Sequence, residues 1–253
     1  MTIDWGSVTH ITKVDPADPL PDDASVLGHT DLVIVGGSDG VTESNTLATI
    51  ERIATEAPDI PVWQEPYSGS HVSKDTIEAV DNVAVPAVYN GDSANFVDKH
   101  VDFFTQAARK PAQLTGANLP LVGDIVESKG RDAVTDLTDA VLAEGYVVQN
   151  LDSKAAAESG VDTLYTPEQV AGAALATESF FDFPVFYVEY SGTYGGPADV
   201  EAAAQYLEDT TLLYGGGIQN GTQTRAILDA GADAVVVGDI FHEDPDRFID
   251  TIP

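Results

Sequence analysis

Eight short runs of β-branched and apolar residues, separated by stretches with helical periodicity, constrain the fold of this chain more than any other feature. The runs are Val8 to Val14, Leu32 to Val35, Ile60 to Gln64, Val83 to Val88, Tyr146 to Gln149, Val185 to Tyr190, Thr211 to Tyr214 and Ala234 to Val237. Strands that alternate with helices build parallel sheets. Eight such units in 253 residues fit a closed (β/α)8 barrel, and an open doubly wound sheet would accommodate much of the same pattern.

The connections between these runs are mostly helical in pattern. The predicted helices are Ser44 to Ala57, Ser93 to Arg109, Asp132 to Glu144, Pro167 to Phe181, Pro197 to Leu207, Thr222 to Ala230 and a last one from Pro245. The third connection, Glu65 to Asn82, has room only for a short helix, so we expect a modified barrel whose third helix is replaced by an irregular segment. Lys110 to Arg131 is rich in Pro and Gly and is interpreted as an insertion, which leaves one domain over residues 1–253.

Charge and cysteine content exclude several classes of function. The chain has 42 acidic and 11 basic side chains, a net charge of −31, and its basic residues are scattered, so a nucleic-acid binder with a basic patch is excluded. Such an acidic surface is typical of a salt-rich cytoplasm, where ions screen the repulsion. There is no cysteine, which excludes disulfides and thiolate sites. Without an apolar run long enough to span a membrane, we expect a soluble, cytoplasmic protein.

Glycines follow the last two predicted strands, at the end of a parallel barrel where active sites form. They are Gly215-Gly216-Gly217 after the seventh run and Gly238-Asp239 after the eighth. Glycine lets backbone N–H groups approach an anion closely, and this end of a barrel is a common phosphate site. The alternative is that these glycines only make tight turns. In so acidic a chain, N–H groups, one lysine and a divalent metal are the expected means of holding a phosphorylated ligand.

The end of the first predicted strand carries a cation and a carboxylate. Asp15, just before Pro16, is placed to serve as a hard oxygen ligand for Mg²⁺, with the Ser38 hydroxyl as a second ligand. Magnesium needs only one or two protein carboxylates, because water and substrate phosphates complete its shell. The alternative for Asp15 is a cap of the turn. Lys13 is either a ligand contact or a lysine at the rim paired with Asp15.

Glu189 lies in an otherwise apolar run and shares one face of its strand with Tyr187. A carboxylate that faces the barrel interior is costly unless it is used or paired, so Glu189 is the candidate general base. The alternative is a structural ion pair with Lys13.

In order, these motifs resemble one family, the archaeal geranylgeranylglyceryl phosphate synthases with their bacterial heptaprenylglyceryl phosphate synthase relatives. The resemblance covers nearly the whole chain except the insertion. It rests on Lys13-x-Asp15-Pro16, Gly36-Gly37-Ser38-Asp39-Gly40-Val41-Thr42, Asn150-x-Asp152-Ser153-Lys154, Tyr187-x-Glu189-Tyr190-Ser191-Gly192 and Tyr214-Gly215-Gly216-Gly217-Ile218.

The resemblance implies a Mg²⁺-dependent prenyltransferase that joins sn-glycerol 1-phosphate to geranylgeranyl diphosphate through the first ether bond of archaeal lipids. It implies that Lys13, Tyr187, Val188, Glu189, Tyr190, Ser191, Gly192, Gly217, Gly238 and Asp239 hold glycerol phosphate, and that Asp15 and Ser38 bind the metal. It also implies a homodimer, and a lipid product implies transient contact with a membrane. The segment from Pro66 to Asp81 and the residues from Phe96 to Phe104 are candidate walls for the prenyl tail.

The sequence leaves three points undecided. The family has Gly-Asn where this chain has Gly238-Asp239, and an acidic side chain there would repel a phosphate. The prenyl donor could be longer than geranylgeranyl diphosphate. The same phosphate site would also suit a sugar-phosphate isomerase or aldolase barrel, or a barrel that binds a phospholigand without catalysis.

Overall fold

Eight parallel strands close into a barrel in the order in which they occur along the chain. The computed structural model describes residues 3–37, 39–109, 134–135 and 137–253, with the backbone alone at 95, 96, 102, 103 and 106–109. The strands are β1 (His10–Val14), β2 (Leu32–Val35), β3 (Val62–Gln64), β4 (Asn82–Val88), β5 (Val141–Val148), β6 (Val185–Glu189), β7 (Thr211–Gly215) and β8 (Ala234–Val237). Pairing of β1 with β8 closes the barrel, which confirms the (β/α)8 prediction.

Helices occupy the connections outside the barrel. They are α1 (Glu43–Glu56), α2 (Lys74–Glu78), α3 (Ser93–Arg109), α4 (Lys154–Ser159), α5 (Pro167–Ala176), α6 (Ala198–Ala204), α7 (Gly221–Asp229), α8 (Asp239–Glu243) and α9 (Pro245–Phe248). Between β3 and β4 the chain forms only the five-residue α2 and a 3-10 turn at Gly69–His71, as predicted for an irregular third connection. The predicted insertion from Lys110 to Arg131 lies outside the described residues.

Most element boundaries lie within three residues of the prediction, and two segments differ from it in type. The residues Val141 to Glu144, predicted as the end of a helix, are the start of β5. Leu, Ala and Glu favour helices, but a continuous ladder from Val83 opposite Val141 to Val88 opposite Tyr146 holds this segment in the sheet. The helix that begins at Pro167 ends at Ala176 and continues as one π-helical turn over Thr177–Phe181.

Alternation of side chains along the strands divides the core into two parts. One set packs inside the barrel and includes Ile11, Ile34 and Trp63, while Trp5 from the turn before β1 stacks edge-on against Trp63 at 5.2 Å. The other set packs between the strands and the helices. In the part of the chain that the structure describes, no helix is both long and apolar enough to cross a bilayer.

Candidate active site

A cavity of about 870 Å³ lies at the carboxyl ends of the strands, where parallel barrels assemble their active sites. Of the predicted site residues, it brings together Lys13, Asp15, Tyr187, Glu189, Ser191, Gly192, Gly217, Gly238 and Asp239. Ser38, the second predicted metal ligand, lies outside the described residues. The predicted residues of four different strand ends, those of β1, β6, β7 and β8, therefore meet in one cavity.

The side chains of Val188 and Tyr190 turn away from this cavity. Tyr187 and Glu189 point into the barrel, so the intervening Val188 points outward, where it is fully buried against the helices. Tyr190 also packs on the outer side, and its hydroxyl donates a hydrogen bond to Asp199 at 2.6 Å. Neither side chain is positioned to contact a ligand in the cavity.

Glu189 is 5% exposed and is held from two sides. Its Oε2 accepts a hydrogen bond from the Tyr146 hydroxyl at 3.1 Å, and its Oε1 accepts one from the backbone N–H of Ser191 at 2.5 Å. Ser191 and Gly192 have φ angles of +23° and +75°, so the chain turns back over the carboxylate directly after β6. Asn150 supports this turn by donating from Nδ2 to the Ser191 carbonyl at 2.8 Å.

The glycine turn after β7 is tightly packed against the β6 loop. Gly217 has a φ of +59°, and a β-carbon there would overlap the backbone nitrogen of Tyr194. Only glycine fits this position, which agrees with the tight-turn interpretation. Gly216 and Gly217 also line the cavity, so the same turn presents bare backbone to any ligand bound there.

Lys13 forms an ion pair that the sequence interpretation missed. Its Nζ lies 2.7 Å and 2.9 Å from the two carboxylate oxygens of Glu65, the residue directly after β3. Neither predicted partner, Asp15 or Glu189, takes that place. Burial lowers the pKa of Lys13, but the charges of Glu65 and Glu189 outweigh it and the pKa is raised, so the lysine stays cationic. The sequence held a signal for Glu65, because it directly follows a buried strand and so lies at the same end of the barrel as Lys13.

Glu144 lies inside the barrel with no part of it exposed to solvent. Among the described residues, neither of its carboxyl oxygens has a hydrogen-bond partner. Burial raises its pKa well above the usual range, the negative charge of Glu65 raises it further, and Lys13 offsets only part of this effect. Burial without a partner therefore favours the neutral carboxylic acid form of Glu144. Sequence reasoning missed it because it assigned this residue to a helix end.

Asp15 is a suitable single ligand for a hard cation. Its Oδ1 accepts the backbone N–H of Ala17 at 2.8 Å, so the predicted turn cap exists, and its carboxylate also lines the cavity. Gly37 lies directly against this carboxylate. No cluster of three or more His, Asp or Glu side chains suited to a metal occurs in the described ranges. One carboxylate beside an open cavity matches Mg²⁺, which fills its remaining positions with water and phosphate oxygens.

Asp239 lies at the cavity rim, at the start of α8, beside Gly192. Loss of solvent within the mouth raises its pKa, and the negative charges of Glu189, Glu243 and Asp18 add to the effect, while His242 opposes it. The charged groups around Asp239 are therefore mainly acidic. The predicted repulsion of a phosphate therefore has a physical basis in this structure.

The other side of the cavity combines apolar walls with a polar bridge. Val85, Pro86, Val88, Val148 and Ala155 line it, together with Pro66 and Tyr67 from the irregular third connection. The Tyr67 hydroxyl donates a hydrogen bond to Glu158, and the ammonium of Lys99 lies 4.5 Å from the centre of the Tyr67 ring. The Tyr67 hydroxyl thus links the third connection to α3 and α4. Of the predicted α3 wall, Phe104 is 41% exposed and is absent from the cavity lining.

Comparison with known proteins identifies the family. The PcrB family profile matches residues 3–253, nearly the whole chain. The chain belongs to the PcrB family. This PcrB protein is an enzyme of the prenyltransferase class. It is 33% identical over 249 residues to the geranylgeranylglyceryl phosphate synthase of Halobacterium salinarum, covering 96% of this chain and 92% of that protein. It is 31% identical over 249 residues to the heptaprenylglyceryl phosphate synthase of Lysinibacillus sphaericus, covering 96% and 93%.

A solved structure supports the fold of this PcrB protein. The (S)-3-O-geranylgeranylglyceryl phosphate synthase of Thermoplasma acidophilum, solved in complex with sn-glycerol-1-phosphate, superposes with a TM-score of 0.70 at 21% identity. The alignment covers 97% of this chain and 91% of the Thermoplasma chain. The shared architecture is thus the complete barrel.

Proposed function

We propose that this PcrB protein joins sn-glycerol 1-phosphate to geranylgeranyl diphosphate, forming geranylgeranylglyceryl phosphate and diphosphate. The observation that carries the proposal is the buried Glu189 carboxylate, held by Tyr146 and Ser191 beside glycine turns in a cavity with one apolar side. The relatives in Halobacterium and Thermoplasma bear the name of this activity. A sugar-phosphate isomerase or aldolase would not require the apolar side.

The glycerol phosphate is assigned to the mouth between β6 and β8. Backbone N–H groups around Gly192, Gly217 and Gly238 would hold the phosphate. Lys13 has three N–H donors, and the Glu65 carboxylate leaves it able to offer one to the ligand. The proposal gives no contact to the side chains of Val188 and Tyr190. Such placement would set the attacking hydroxyl of glycerol near Glu189.

Glu189 is assigned as the proton acceptor. As the glycerol oxygen forms its bond to the allylic carbon, the bond from that carbon to the diphosphate oxygen breaks and diphosphate leaves with the electron pair. The hydroxyl proton moves to the Glu189 carboxylate. Tyr146 and the Ser191 N–H would fix the direction of that carboxylate, so that the acceptor is in place before the substrate binds.

Asp15 is assigned as the protein ligand of Mg²⁺, with Ser38 as the proposed second ligand. When bound, the metal would neutralise negative charge on the diphosphate. Asp15 would orient the diphosphate end of the donor toward the cavity, and the side lined by Val85, Pro86 and Val88 would receive the prenyl chain. An acidic protein with only 11 basic side chains has particular need of such a metal.

Transfer of radiolabel tests the proposal. The protein is incubated at high salt with labelled sn-glycerol 1-phosphate, geranylgeranyl diphosphate and Mg²⁺, and the mixture is partitioned between water and an organic solvent. Label in the organic phase supports the synthase, and label that stays in water contradicts it. A series of donors from C15 to C35 decides chain length, because one relative of similar identity is named for a heptaprenyl donor.

A further inference from the structure

Lys13 has two negatively charged neighbours that compete for its ammonium. It is bonded to both oxygens of Glu65. Glu189 lines the same cavity, and Lys13 Nζ lies 5.7 Å from the centre of the Tyr187 ring, which shares the inward face of β6 with Glu189. The Glu189 carboxylate therefore also acts on this ammonium. A lysine side chain is flexible enough to exchange one such partner for another. Among the described residues, the structure pairs the lysine with Glu65 and with no other carboxylate.

Backbone packing fixes the position of Glu65. Its N–H donates to the Val35 carbonyl at 2.9 Å, which extends the β2–β3 ladder by one bond. Gly36 lies directly against it, and a β-carbon at position 36 would overlap the Glu65 carbonyl oxygen. The Glu65 side chain is 9% exposed, against 22% for Lys13. The carboxylate is therefore a fixed anchor, and the lysine is the partner that could move.

Pairing of Lys13 with Glu65 leaves Glu189 with neutral hydrogen-bond donors. Tyr146 and the Ser191 N–H bind its two oxygens. An ammonium bonded to the same carboxylate would stabilise its ionised form and weaken it as a proton acceptor. It would also use the N–H donor that the lysine would otherwise offer to a phosphate. Both effects would oppose the proposed reaction.

We propose that Glu65 is a positioning residue: it anchors Lys13 away from Glu189, so that the lysine can meet the phosphate while Glu189 remains free to accept the proton. This inference rests on the proposed function. Glu65 itself touches no reacting atom. Loss of its charge would release Lys13 toward Glu189.

Glu144 supplies a matched control. It is a third carboxyl group near Lys13, but among the described residues neither of its oxygens has a hydrogen-bond partner, so it does not hold the lysine. The variant Glu144→Gln changes the same atoms as Glu65→Gln, in a side chain from the same barrel interior. It removes no hydrogen bond to Lys13, so we expect the position of Lys13 and the turnover to change little.

The test compares Glu65→Gln, Glu65→Asp and Glu144→Gln in the full-length protein, with unfolding temperature measured for each. For Glu65→Gln we expect kcat to fall about tenfold or more, because Glu189 becomes a weaker proton acceptor, and the KM for glycerol phosphate to rise, because Lys13 is drawn away from the phosphate. The acidic limb of its pH profile should move to lower pH. Glu65→Asp keeps the charge on a shorter side chain and should recover part of the lost kcat.

A crystal structure of Glu65→Gln provides a readout that does not depend on turnover. We expect Lys13 Nζ at hydrogen-bond distance, about 3 Å, from a Glu189 carboxylate oxygen. Lys13 unmoved, or a fall in kcat no larger than for Glu144→Gln, would overturn the inference. If the wild-type protein makes no lipid product, the proposed function fails, and the crystal structure still decides whether Glu65 keeps Lys13 from Glu189. If Glu65→Gln does not fold, the distance from Lys13 Nζ to Glu189 is measured in Glu65→Asp instead. The shorter side chain draws its carboxylate back from Lys13, so Lys13 should lie closer to Glu189 than in the wild-type protein, and an unchanged distance would overturn the inference.

Discussion

Gly37 lies against the carboxylate of Asp15 so closely that a β-carbon at position 37 would overlap it. The Gly37→Ala variant must therefore displace the group assigned to Mg²⁺. We expect the Mg²⁺ concentration for half-maximal activity to rise about tenfold or more, as for other changes that reorient a metal ligand. Titration of activity against Mg²⁺ measures this shift.

Gly172→Ala is the matched control for that experiment. Gly172 lies in α5, and a β-carbon there would meet no atom within 4 Å. Its Mg²⁺ requirement should match that of the wild-type protein. If both variants keep the wild-type requirement, Asp15 is not the metal ligand.

Replacement of Glu189 tests the proton acceptor. Glu189→Gln keeps the shape of the side chain and one acceptor oxygen, so Tyr146 or the Ser191 N–H can still bond to it. We expect kcat to fall by about 10² to 10⁴, with glycerol phosphate affinity changed only a few fold, because the proton then lacks an acceptor. Glu201→Gln, at an exposed position of α6, is the control, and its kcat should equal that of the wild-type protein. Wild-type turnover in Glu189→Gln would exclude this role.

Asp239 should limit the affinity for glycerol phosphate. Asp239→Asn removes a negative charge from the rim and should tighten binding about tenfold at pH 8, because like charges no longer meet. Its pKa is raised by loss of solvent and by Glu189, so a larger fraction of wild-type Asp239 is neutral at low pH. The gain from the variant should therefore shrink toward pH 5. Calorimetric titration with glycerol phosphate at both pH values measures this difference. If the variant binds no more tightly than the wild-type protein at pH 8, the Asp239 side chain points away from the ligand.

His10 should make folding stability depend on pH. It is buried between Thr30 and Thr251, and burial lowers its pKa from 6.5 to about 4, with Asp31 opposing part of the shift. The unfolded chain then binds more protons between these values, so stability present above pH 6.5 is lost as the pH falls toward 4. The loss from this residue is about 2 kcal/mol at pH 5.

Denaturant unfolding of wild type and His10→Gln at pH 5 and pH 8 isolates this contribution. The difference in unfolding free energy between the two pH values should be about 2 kcal/mol smaller in the variant, since only the wild type has the imidazole. The same pH difference in both proteins would mean that His10 is not held neutral.

Much of the barrel could be predicted from sequence because each strand is a compact apolar run with clear ends. The start of β5 could not, since Val141 to Glu144 is helical in composition and only its two neighbouring strands impose the extended form. The same error hid Glu144, because its burial depends on closure of the whole barrel.

The candidate site was predictable where one strand end carries its own signal, as at Glu189 or Gly217. Partnerships between strands were not, because residues 52 positions apart meet only after the barrel closes, as Lys13 and Glu65 do. Because side chains alternate along a strand and Glu189 is predicted to face the barrel interior, Val188 and Tyr190 should face outward, away from a ligand in the cavity. The sequence therefore contained this information, but the motif from Tyr187 to Gly192 was assigned to the ligand as a whole.

A crystal structure with sn-glycerol 1-phosphate decides whether Glu189 accepts the proton at this site. We expect the phosphate among the backbone N–H groups around Gly192, Gly217 and Gly238, with one N–H of Lys13 bonded to it, and the attacking hydroxyl within about 3 Å of Glu189. A phosphate at the opposite end of the barrel, or a glycerol hydroxyl directed away from Glu189, would contradict it.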